Sequence, residues 1–96
     1  MIRHIDHIVL TVADIERAIA FYQRVFHMQP LTFGAGRRAL TFGRQKINLQ
    51  TPGQELRNHA CRGSGDLCLI TACPPDRLLA HLAADRKSTR LNSSHW

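Results

Sequence analysis

Apolar and polar positions alternate along this chain in an order that begins to repeat itself. From Ile5 to Val12 a block of β-branched and apolar residues predicts a strand that Ala13-Asp14 closes, with Ile5, His7, Val9 and Thr11 on one face. Asp14 is then placed to cap a helix in which Ile15, Ala18, Ile19, Tyr22, Val25 and Phe26 recur at three- and four-residue spacing, with Glu16 near the positive end of its dipole. An apolar stripe of that kind has to lie on a sheet.

Pro30 and the glycines at 34, 36 and 43 divide the next stretch into three short strands, Gln29–Phe33, Arg37–Phe42 and Gln45–Gln50, joined by tight turns. Residues 51–64 hold Pro52, Gly53 and Gly63 among polar side chains without a usable period and predict a connecting loop. The opening order then returns. Gly65-Asp66-Leu67-Cys68-Leu69-Ile70-Thr71 predicts a strand, and Pro75 to Ala84, with Leu78, Leu79 and Leu82, predicts a second helix. Setting His7 opposite Asp66 pairs Ile8 with Leu67, Val9 with Cys68, Leu10 with Leu69 and Ala13 with Ala72, a weak internal βα repeat.

At 96 residues the chain has room for one core and no more. Its apolar runs are too short to cross a bilayer, and Asp6 and His7 interrupt the one stretch that could resemble a secretory leader. A cytoplasmic protein without membrane association is the expectation. Three cysteines, Cys61, Cys68 and Cys73, make an odd number with no CxxC spacing, which suits free thiols, with Cys68 as a small core residue.

The formal charge of +6 would suggest nucleic acid, but the last eleven residues supply Arg86, Lys87 and Arg90 with no acid. Without them ten basic side chains face seven acidic ones, and no basic stripe remains to track a phosphate backbone. No nucleic-acid partner is expected. The tail from 86 to 96 has the look of added adapter sequence and is expected to be a disordered, non-native extension of a domain spanning residues 1–85.

The order β-α-β-β-β followed by β-α, the opening Asp6-His7-Ile8-Val9-Leu10-Thr11-Val12, the helix with Phe21-Tyr22 and its Phe26-His27-Met28 ending resemble the vicinal-oxygen-chelate superfamily. That superfamily includes glyoxalase I, bleomycin-resistance proteins and extradiol dioxygenases. The runs Arg38 to Gly43, Gln45 to Leu49 and Gly63 to Thr71 are similar to the branch of glyoxalase domain-containing protein five, and the likeness covers about residues 3 to 84. It departs at His27, where glycine is usual.

The resemblance implies an α+β fold: one βαβββ module plus the βα start of a second, with a mixed curved sheet flanked by helices. The face under the helix should bury Ile8, Leu10, Ile19, Tyr22 and Leu49. A module with an open sheet edge tends to pair with another copy, so a homodimer is expected.

The functional expectations follow the same likeness. His7 falls at the family's first metal ligand, and Asp66, its partner in the internal repeat, at another. The alternatives are a half-buried strand histidine satisfied by backbone, and an acid that merely opens a strand. Lys46, Asn48 and Gln50 share one face of the fourth strand, away from the helix. Asn48, Gln50 and Thr11 are therefore expected to line a substrate site.

Asn48 stands about where glyoxalases supply a carboxylate, and Gln50 where the nearest branch often has histidine; both are poorer ligands for a dication. The cofactor implied is a divalent ion: manganese, iron, nickel, zinc or magnesium. The function implied is a glyoxalase-like, metal-dependent enzyme domain that isomerises, cleaves or oxygenates a small substrate with two neighbouring oxygens. The alternatives are a metal-free, small-molecule sequestering module of the bleomycin-resistance type, or a fragment without activity.

Overall fold

A computed structural model describes residues 1–89. The elements in chain order are β1 (Ile8–Thr11), α1 (Ile15–Phe26), β2 (Gln29–Phe33), β3 (Arg37–Phe42), β4 (Gln45–Gln50) and α2 (Pro75–Thr89). The strands form one curved, open, mixed sheet in the order β1-β4-β3-β2. β1 runs parallel to β4, whereas β4 with β3 and β3 with β2 are antiparallel. The α+β class and the βαβββ order are as the sequence predicts.

Each element has a local cause. Asp14 sits extended at the N-cap of α1 and its Oδ1 accepts the Arg17 amide at 3.1 Å. The β3–β4 hairpin turns on Gly43 and Arg44. Gly43 has φ of 56° and Arg44 is not in the left-handed region, the pattern of a two-residue turn that wants glycine first. At the other end of α1, His27 takes the left-handed C-cap position with φ of 57°. Its amide bonds to Gln23 O, and that of Met28 to Tyr22 O.

The apolar stripe of α1 lies on the face made by Ile8, Leu10, Leu40, Ile47 and Leu49. Ala18, Ile19, Met28, Leu40, Ile47 and Leu49 form the buried cluster, with Ile8, Leu10, Val12, Ile15, Tyr22 and Phe42 packed around it. All five expected core residues belong to this assembly. Glu16 ties the helix to the sheet through Arg38, whose Nε and Nη2 donate to its carboxylate at 3.0 and 3.1 Å. α2 docks on α1: His81 Nε2 lies 2.8 Å from Val25 O, one of the carbonyls left open at a helix end, and Arg24 pairs with Asp85.

Four sequence expectations need correction. The first strand is shorter than Ile5–Val12: its ladder on β4 runs only from Ile8 opposite Ile47 to Thr11 opposite Gln50. The expected strand over Gly65–Thr71 does not form. β1 finds its partner within its own module, but no strand of the described residues lies alongside 65–71, and a strand without a partner leaves its backbone groups unpaired. Cys68, in that stretch, is exposed rather than a core residue.

The fourth correction concerns the expected disordered tail. Arg86, Lys87, Ser88 and Thr89 continue α2 past Ala84, with two basic residues in the last turn and Ser88 Oγ bonded to Ala84 O and Asp85 O. The remaining part of that expectation, residues 90–96, lies outside the described residues.

Replacing the fully buried Leu40 by alanine should cost about 2–5 kcal/mol of stability by urea unfolding. His27→Gly should do the opposite. Relief of the left-handed backbone is expected to add about 1 kcal/mol, visible as a raised unfolding midpoint at unchanged slope.

Candidate functional site

The sheet face turned away from α1 is polar where the sequence places Lys46, Asn48 and Gln50. Register sets its rows: Asn48 stands between Val9 on β1 and Ala39 on β3, and Gln50 opposite Thr11. Thr11, Asn48 and Gln50 are 1%, 3% and 4% exposed, the buried polar residues of the chain's described part. Three polar side chains on a buried floor call for partners.

Two of the three are satisfied. Gln50 Nε2 donates to Thr11 Oγ1 and to Asn58 Oδ1, each at 2.8 Å, and Asn58 Nδ2 donates back to Gln50 Oε1 at 3.4 Å. The loop read from sequence as a mere connector therefore closes this end of the face, and Gly63 N, bonded to Thr11 O at 3.0 Å, holds it there. Asn48 differs. Its Oδ1 is buried and accepts no hydrogen bond from the described residues. An orphaned buried acceptor costs about 1–3 kcal/mol, a cost borne at sites that meet a ligand more readily than at plain packing positions.

Above the floor, Phe33, Arg37 and Lys46 form a cover. Lys46 Nζ lies 4.3 Å from the Phe33 ring centroid and Arg37 Cζ 5.2 Å from it. Arg37 Nη2 is also paired with Glu55 Oε1 at 2.8 Å. Sequence reasoning missed Phe33, Arg37, Glu55 and Asn58. The first two were within reach, because a hairpin over 34–36 sets Phe33 directly across from Arg37. Nothing in the sequence locates Glu55 or Asn58.

His7 sits just before β1, at the rim. Its Nδ1 lies 2.8 Å from Asp6 Oδ2. With Asp6 ionised that nitrogen carries the proton of the neutral ring, and in that form Nε2 presents a lone pair, the tautomer a metal ligand needs. The hydrogen bond from His7, and then the positive charge that the ring carries when doubly protonated, hold the Asp6 carboxyl below its ordinary range. His7 borders a cleft of about 240 Å³, with Asp6, Ile8, Lys46 and Leu67 among its walls.

Asp66 is exposed on the unpaired stretch and is not a wall of that cleft. Among the described residues no three of the His, Cys, Asp and Glu side chains stand close enough to hold a metal ion. As a donor set, then, the described residues offer one well-oriented imidazole and stop short of a complete metal centre. The cysteines are free. No helix of the described residues is long and apolar enough to cross a membrane.

Fold and face together describe an open, curved four-stranded sheet with a row of buried polar residues on the face away from α1, and comparison with known proteins identifies the class. Residues 4–83 match the model of the Glyoxalase/Bleomycin resistance protein/Dioxygenase superfamily, and the chain belongs to that family. It is 44% identical over 85 residues to the virulence protein STM3117 of Salmonella typhimurium, covering 85% of this chain and 59% of that relative's length.

Among solved structures, an integron cassette protein from the mobile metagenome of V. cholerae superposes with a TM-score of 0.80 at 45% identity, over 88% of this chain and 69% of that one. The fold alone is shared with the fosfomycin resistance protein FosX from Listeria monocytogenes, solved with Mn(II) and a sulfate ion. Its TM-score is 0.62 at 21% identity, over 88% of this chain and 65% of that one.

Replacing Asn48 by leucine removes the orphaned acceptor at similar volume. The variant should unfold at an equal or higher urea concentration, a gain of up to about 1–2 kcal/mol. A loss of stability would mean that the amide is held by partners and serves packing.

Proposed function

We propose that the polar face of this sheet binds a small molecule in a vicinal-oxygen-chelate site, and that His7 is one ligand of a divalent cation at its rim. The observation that carries this reading is the Asp6–His7 pair, which fixes the ring tautomer and leaves Nε2 free. Support comes from the family, and from the Mn(II) in the FosX structure of the same fold. When bound, the cation would polarise a substrate oxygen or steady charge that develops on it.

Since such sites usually take about three protein ligands, the others must come from outside the described set. Asp66 could supply one only if the stretch 65–71 were ordered against a partner, whether a later segment of a longer polypeptide or a second copy. The second copy is the homodimer reading: Ile70 at 93% exposure, with Leu67 and Leu69 also exposed, offers the apolar surface for it. Thr11 and Gln50 hold each other and so shape the pocket wall, whereas Asn48 has an oxygen to offer a ligand.

The incomplete donor set favours a second reading, a binding module that works without metal. Calorimetry with Mn(II), Fe(II), Ni(II), Zn(II) and Mg(II) in turn separates the two. Saturable binding weakened about 10-fold or more in His7→Ala supports the metal reading, in line with the loss of one ligand. Binding that ignores the substitution, or none at all, leaves the metal-free module.

A further inference from the structure

Lys46 is the cation on the polar face with least to do. Arg37 has Glu55, yet the Lys46 ammonium rests on the Phe33 ring rather than on a carboxylate of the described residues. Two residues along the same strand and on the same face, about 7 Å away between Cα atoms, is Asn48 with its orphaned acceptor.

The surroundings leave this acceptor approachable by something small. Its neighbour on β3 is Ala39, whose methyl group fills little of the floor, and its neighbour on β1 is Val9, 36% exposed at the open edge of the sheet. The cover is a cation–ring contact, which is weaker than a charge-assisted hydrogen bond, so an anion that offers the ammonium an oxygen displaces the ring. Uncovering the floor and neutralising Lys46 are then one event.

We propose that Lys46 and Asn48 form a subsite for a small hydroxycarboxylate. The carboxylate takes the Lys46 ammonium from Phe33, and the hydroxyl donates its hydrogen to Asn48 Oδ1. An oxygen acceptor and a cation in one pocket select a ligand that brings both a donor and a negative charge; a plain acid leaves Asn48 unsatisfied, and a plain alcohol leaves Lys46 on its ring. This assignment rests on the polar face being the binding face, and not on any metal.

The test is an NMR titration of the full chain, labelled with nitrogen-15 and kept in EDTA, with 2-hydroxybutyrate, butyrate and 1,2-butanediol. Expected is a saturable shift of the Asn48 side-chain amide with 2-hydroxybutyrate. Butyrate should bind about 3- to 10-fold more weakly, as the loss of one neutral hydrogen bond implies, and the diol more weakly still. Lys46→Met, which keeps the apolar stem, should lose about 10-fold or more in affinity for 2-hydroxybutyrate.

Equal affinity for the hydroxy acid and the plain acid overturns the role of Asn48. Equal affinity of wild type and Lys46→Met overturns that of Lys46, and shifts confined to residues off this face overturn the subsite itself. The ligand comparison needs no variant, so a poorly folding Lys46→Met leaves the proposal open to refutation. Because EDTA is present throughout, failure of metal binding at His7 and failure here are read separately.

Discussion

The parallel pairing of β1 with β4 is the constraint on which everything else in this molecule depends. Parallel neighbours cannot be joined by a tight turn; the chain must leave the sheet and return, and α1 with the β2–β3 excursion is that return. Register then divides the chemistry. With Ile8 on Ile47 and Thr11 on Gln50, Ile47 and Leu49 go under the helix while Asn48 and Gln50 go to the other side. A slip of one residue would put the amides into the core and the aliphatics on the polar face, so the packing of α1 fixes the polar face without touching it.

That division also explains why the polar face can hold an unsatisfied group. The apolar cluster around Leu40 and Ile47 is complete without any contribution from Asn48. The apolar core and the buried polar row are thus assigned to opposite sides of the same strand, and β4 serves both because its side chains alternate.

The fold was legible where periodicity was strong. The α1 stripe, its Asp14 cap and the glycine-punctuated strands appear where the sequence sets them, because each is determined by residues close together in the chain. That Thr11, Asn48 and Gln50 share the face away from the helix was legible for the same reason, since alternation along one strand is a local property. What escaped was non-local. The partners of Gln50 and Arg37 sit in a loop whose path no spacing reveals, and residues 65–71 have the alternation of a strand but, among the described residues, no neighbour to make them one. Periodicity reports which face a residue would take, and says nothing of whether a ladder exists to receive it. His7 lies between these cases: its neighbour Asp6 was visible in the sequence, the ring orientation was not.

The manner in which α2 is attached has a consequence of its own. It is joined to the rest through His81, whose ring meets the end of α1 at Val25 O and His27, and through Arg24 with Asp85, while the buried cluster is built without it. A helix that adds nothing to the buried cluster has less apolar burial to lose on opening, so its detachment is expected to cost less free energy than unfolding of the whole. Amide protons in α2 should accordingly exchange with solvent long before those of β3 and β4, and ionic strength, which barely touches the apolar cluster, sets how often the helix departs.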